Sequence, residues 1–79
     1  MLNQSVYNGE DVIVTGGTRG IGKGISLKLH KEGYGVYALY KNRKKEAKDL
    51  ELQRRTNAPL IAYQCDITDK IAIKDFLAA

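Results

Sequence analysis

The pattern of apolar and polar positions divides this chain into strands and helices in alternation. Val12, Ile13 and Val14 follow one another without a polar break, as in a strand covered on both faces, so Asp11 to Thr15 is expected at the centre of a parallel sheet. Ile21, Ile25 and Leu29 recur at helical spacing and predict a helix from Gly20 to Glu32. Those three side chains would lie on the sheet, with Leu27 on a flank and Lys23, Lys28 and Lys31 in water. Gly24 inside this helix points to close helix-to-strand packing, and Gly33 is the expected C-cap. Val36 to Tyr40, rich in branched and aromatic residues, reads as a second strand. A second helix from Arg43 to Arg55 has few apolar residues, mainly Ala47, Leu50 and Leu52, and its Lys45–Asp49 and Glu51–Arg55 pairs fit a solvated face. Leu60 to Cys65 is the third strand, entered through Pro59, and Thr68 is the expected N-cap of a last helix carrying Ile71, Phe76 and Leu77. Met1 to Glu10 reads as a loose leader ending in an Asn-Gly-Glu turn.

Composition narrows the function classes. The 79 residues suffice for one small domain. Lys and Arg total 13 against 9 acidic residues, a net charge of +4 that suits an anionic ligand, while no nucleic-acid reading motif accompanies it. Cys65 is the only cysteine, so neither an internal disulfide nor a zinc cluster is expected, and it reads as a small buried hydrophobe. His30 reads as a solvated or capping residue, with no partner at helical spacing to orient it for catalysis. No signal core or membrane-length apolar run is present, and a cytoplasmic location without membrane contact is expected.

The candidate chemistry lies between the first strand and the first helix, in Thr15-Gly16-Gly17-Thr18-Arg19-Gly20-Ile21-Gly22. Glycines there let the backbone turn sharply and approach a ligand. The helix that follows directs its unpaired first amides and the positive end of its dipole at that turn, where an anion is the natural occupant. The spacing Thr-Gly-x-x-x-Gly-x-Gly resembles the nicotinamide-binding turn of the short-chain dehydrogenase/reductase family, and the resemblance runs over almost the whole chain. It implies an α/β, Rossmann-like three-layer architecture with β-α-β-α-β-α topology and a parallel sheet of order 3-2-1. That is half of a doubly wound fold, and a chain of this length is expected to be the N-terminal, NADP-binding part of a longer enzyme.

In NAD-binding folds of this type an acidic residue after the second strand takes the ribose hydroxyls. Here Tyr40 is followed by Lys41, Asn42 and Arg43, with no carboxylate in place, which favours NADP and its 2′-phosphate. In the family resembled, basic residues at the positions of Arg19 and Lys41 go with NADP preference. Gly16, Gly20 and Gly22 would shape the turn, the Thr18 hydroxyl would meet phosphate or ribose, and the amides of Gly20 and Ile21 would meet the pyrophosphate. Asp66 matches the family residue that bonds the adenine amino group, with the Ile67 amide beside it, while Thr15 braces the turn.

The family's catalytic Tyr and Lys, four residues apart, and its Ser and Asn lie after the region covered here. Tyr34 and Tyr63 have no Lys four residues on, and Tyr7 has Asp11 there. No catalytic residue and no metal ligand is therefore expected, and the chain alone is expected to be inactive. The octapeptide resembles that of 3-oxoacyl-carrier-protein reductases, which implies a carbonyl or alcohol substrate for a full-length parent. The first strand, left with an open edge, is expected to promote self-association or homo-oligomers. The alternative is a stand-alone nucleotide- or partner-binding module without redox activity.

Overall fold

A computed structural model describes residues 7–78. The elements are β1 (Asp11–Thr15), α1 (Gly20–Lys31), β2 (Gly35–Tyr40), α2 (Lys44–Glu51), β3 (Leu60–Gln64) and α3 (Lys70–Ala78). All pairing is parallel in the order β1-β2-β3, with Val12 opposite Val36 and Val36 opposite Leu60. The expected α/β half-fold and its strand order are thus present. Because pairing among the described residues leaves one side of β1 open, β2 is the central strand, and Ile13 on β1 stays 50% exposed.

The core lies between the sheet and α1 and α2. Val36, Ala38, Leu50 and Leu60 are buried there, with Val12, Val14, Leu27 and Leu29 packed around them. On the other sheet face the ring of Phe76 from α3 meets Tyr63, with centroids 4.7 Å apart in an edge-on arrangement.

The rotation of α1 differs from expectation. Ile21 is 86% exposed and Ile25 47%, whereas Ser26 and His30 are buried. Gly22 and Ser26 are the small residues that let the helix approach the turn, and their stripe turns inward, carrying Ile21 and Ile25 to the side. Gly24 faces open space, so close packing occurs at Gly17 and Gly22 instead.

His30 is neither solvated nor a cap. Its Nε2 accepts the Arg55 amide at 2.9 Å and the Thr56 amide at 3.3 Å, so the neutral ring holds the α2–β3 connection with its proton on Nδ1. Burial, then the positive charges of Arg54 and Arg55, push its pKa below the usual histidine value.

The helix ends are also specific. Gly33 adopts φ 101° after α1, its amide donating to the His30 carbonyl at 3.0 Å and that of Tyr34 to Leu29 at 3.1 Å, as in a Schellman cap. Helix α2 stops at Glu51, short of Arg55, because the Arg55 and Thr56 amides turn to His30. Neither expected ion pair of that helix forms among the described residues; the Glu51 carboxylate instead accepts the Ala62 amide at 2.8 Å on β3. Asp69, not Thr68, caps α3 by accepting the Ile71 amide at 2.9 Å and the Ala72 amide at 3.2 Å.

Of the expected leader, Met1 to Val6 lie outside the described residues, and Tyr7 to Glu10 are tied down. The Asn8 amide donates to the Gly33 carbonyl at 2.8 Å, and the Tyr7 hydroxyl donates to Asp11 at 2.5 Å. That bond to a carboxylate raises the phenol pKa to about 12.

Candidate functional site

The turn after β1 is fixed from two sides. The amides of Gly16 and Gly17 both donate to the Leu39 carbonyl of β2, at 2.9 and 3.3 Å. From the helix side, the buried Ser26 hydroxyl donates to the Gly17 carbonyl at 3.0 Å. Gly16 and Gly20 take φ values of 65° and 60°, which a side chain would strain. At Gly17 a Cβ would stand 2.7 Å from Ser26 Oγ and 2.8 Å from Ala38 Cβ, and at Gly22 it would collide with the Gly16 carbonyl.

This geometry exposes donors. The amides of Thr18, Arg19, Gly20, Ile21 and Gly22 have no acceptor among the described residues. Arg19 is the N-cap residue of α1 and supplies no side-chain cap, and no acidic residue stands in the first turn. The helix start therefore remains available to an anion. Thr18 is almost fully buried, while Ile21 is largely exposed.

An open groove of about 540 Å³ lies against these amides, lined by Gly16, Thr18, Arg19, Gly20, Tyr40, Lys41 and Asn42. Strand β2 brings the last three there because its C-terminal end lies beside that of β1, with Leu39 opposite Thr15. The expected cations Arg19 and Lys41 thus border one groove.

Asp66 joins them through Lys41, whose Nζ lies 3.7 Å from Oδ2, while Oδ1 accepts the Thr68 hydroxyl at 2.7 Å and the Thr68 amide at 2.9 Å. The bonds from Thr68 lower the Asp66 pKa most, and the Lys41 charge adds to them. Gln64 Nε2 donates to the Lys41 carbonyl at 3.1 Å, and the Cys65 amide donates to the Tyr40 carbonyl at 2.8 Å, so the ends of β2 and β3 are bonded to each other. Cys65 is buried, as expected.

The remaining candidates stand apart from the groove lining. Ile67 is 55% exposed after Asp66. Arg43 occupies the left-handed region at φ 67° and pairs with Glu46 at 3.8 Å. Gly22 packs beneath the turn. Sequence reasoning missed Ser26, whose only signal was a small polar residue on the inward stripe of α1.

Contrary to the expectation that no described Tyr has a Lys four residues on, Tyr37 and Lys41, and also Tyr40 and Lys44, have the four-residue spacing of the family's catalytic pair. Tyr37 lies within β2 and Lys41 beyond its end. An extended chain separates such residues by roughly 13 Å, against about 6 Å along a helix. Neither pair lies along one helix, since Tyr40 ends β2 and Lys44 opens α2. No group of three or more His, Cys, Asp or Glu side chains able to hold a metal occurs among the described residues, and none of their helices is long and apolar enough to cross a membrane.

The profile of the short chain dehydrogenase family matches residues 10–79. A 2-dehydro-3-deoxy-D-gluconate 5-dehydrogenase from Pseudoalteromonas atlantica is 33% identical over 78 residues, covering 98% of this chain and 31% of that relative. Among solved structures, a mutant Serratia marcescens short-chain dehydrogenase/reductase superposes with a TM-score of 0.79 at 27% identity, over 89% of this chain and 29% of the other. A Burkholderia cenocepacia short chain dehydrogenase in complex with NADP superposes with a TM-score of 0.68 at 29% identity, over 95% of this chain and 28% of that one. The chain thus spans about a third of the length of these relatives.

Proposed function

The chain belongs to the short-chain dehydrogenase family, and from that premise we propose that it forms the NADP(H)-binding portion of a carbonyl-reducing oxidoreductase, of the kind that acts on 3-oxoacyl substrates. The observation that carries this reading is the run of unpartnered amides from Thr18 to Gly22 beside a groove bordered by Arg19 and Lys41. The amides would take the pyrophosphate, and the two cations the 2′-phosphate, where an NAD site would carry a carboxylate. Tyr40 and Asn42 would flank the adenosine ribose, Arg43 would add positive charge at the rim, and Asp66 with the Ile67 amide would meet the adenine edge. The NADP complex of the Burkholderia relative supports the choice of cofactor.

Bound there, the nicotinamide dinucleotide supplies the hydride for carbonyl reduction, and the residues of this chain bind and orient it. Substrate binding and proton transfer belong to residues outside those described. The same reading includes a cytoplasmic location and, for this chain by itself, self-association through the open side of β1, the side that a fourth strand takes in a complete doubly wound sheet.

The double variant Arg19→Ala with Lys41→Ala tests this function. Two unit charges about 4 Å apart in water attract by about 1 kcal/mol, and a phosphate carries up to about two charges, so NADPH affinity should fall roughly tenfold or more per cation at low salt. NADH affinity should change far less. Equal losses for both cofactors would remove the 2′-phosphate roles, and salt-sensitive DNA binding without nucleotide preference would favour a stand-alone binding module.

A further inference from the structure

We infer that Ser26 is a positioning residue for the phosphate turn, holding the Gly17–Thr18 peptide so that the Thr18 amide, the first of the run, is directed into the groove; this rests on the nucleotide-binding reading above. Ser26 is fully buried, and its hydroxyl donates to the Gly17 carbonyl at 3.0 Å. A serine inside a helix ordinarily donates to a carbonyl one turn back. This one reaches nine residues back, out of its own helix and into the turn.

The orientation follows from peptide geometry. No cis bond is present, and a trans peptide carries its C=O and N–H on opposite sides. A Gly17 carbonyl drawn toward α1 therefore sends the Thr18 amide away from α1. Gly17 cannot relax from this position, because its own amide is committed to the Leu39 carbonyl of β2 at 3.3 Å. Thr18 lines the groove and is 3% exposed, yet its amide has no acceptor among the described residues. Buried amides without a partner are rare, and an oxygen of a ligand in the groove would supply this one's acceptor. Since it belongs to the run of unpartnered amides at the start of α1, the ligand group it takes is the pyrophosphate, common to NADPH and NADH.

The test uses Ser26→Ala, which removes the hydroxyl and little volume. NADPH and NADH affinities should fall by the same factor, about two- to tenfold, the worth of one hydrogen bond. Adenosine 2′-monophosphate, which lacks a pyrophosphate, should bind the variant as it binds the parent chain. In the parent chain the Thr18 amide resonance should shift when ADP is added. Unchanged dinucleotide affinity in Ser26→Ala, or a Thr18 amide that ignores ADP, overturns the inference while leaving the groove as a nucleotide site. An equal loss for adenosine 2′-monophosphate overturns it too, because it marks general loosening of the fold. A parent chain that binds none of these nucleotides overturns the nucleotide-binding reading together with this one. Should Ser26→Ala fail to fold, the ADP shift in the parent chain still decides.

Discussion

Substituting alanine at two glycines of the same strand-turn-helix unit should have opposite effects. At Gly17 the added methyl would stand 2.7 Å from Ser26 Oγ, 2.8 Å from Ala38 Cβ and 2.9 Å from the Val14 carbonyl oxygen. Favourable contacts between carbons lie at about 3.5–4.0 Å, so these neighbours would have to retreat by several tenths of an ångström or more. Two of the obstacles cannot swing away, Ala38 in the central strand and Val14 in β1. Overpacking of this kind costs roughly 1–3 kcal/mol, and displacing Ser26 also removes a hydrogen bond worth about 1 kcal/mol. A chain of this size has a total stability of about 4–12 kcal/mol, so Gly17→Ala should lose a large share of it.

At Gly24 an added Cβ meets nothing within 4 Å, and the residue lies inside α1 without a positive φ. There alanine should gain up to about 1 kcal/mol from helix propensity. Urea unfolding followed by circular dichroism reads both effects as shifts in midpoint at constant slope. A neutral Gly17→Ala, or a Gly24→Ala that destabilises by 1 kcal/mol or more, would refute this packing of the turn.

Two further predictions concern the ends of the elements. Because the folded-state pKa of His30 lies below its ordinary value of 6.5, its contribution is complete above that value and declines as the pH falls from there toward the folded-state pKa. Urea midpoints should therefore decrease between pH 7 and 5, and His30→Gln should flatten this dependence; a parent chain equally stable across that window would contradict the buried acceptor role. Asp69→Ala should destabilise by about 0.5–2 kcal/mol through loss of the α3 cap, whereas a Thr68→Ala variant that alone produced that loss would return the cap to Thr68.

Much of the fold was legible because its signals are local. Consecutive branched residues at Val12–Val14, aromatic and branched residues at Val36–Tyr40, and Gly33 after a helical run each specify an element by their own chemistry. The glycine turn and the basic end of β2 were legible for the same reason, since a parallel β-α-β connection brings both to one edge of the sheet. The errors arose where a tertiary contact decided the outcome. The inward face of α1 follows from the close approach of Gly22 and Ser26 to the turn, which outweighs the apolar periodicity of Ile21 and Ile25. The end of α2 depends on an imidazole far away in sequence, and Glu51 turns to β3 instead of Arg55. At the start of α3, Asp66 and Asp69 both compete with Thr68 for local amides, and Asp69 takes the cap while Thr68 bonds to Asp66.

The central claim is that the turn and the end of β2 together receive one adenine dinucleotide bearing a 2′-phosphate. Amide resonances of the 15N-labelled chain, followed during separate titrations with NADPH and NADH, test it most directly. The expected result is saturable shifts at Thr18 to Gly22 with either cofactor, shifts at Lys41 that are larger with NADPH, and tighter binding of NADPH. Shifts confined to exposed lysines elsewhere on the chain, or identical affinities and identical Lys41 responses for the two cofactors, would contradict it.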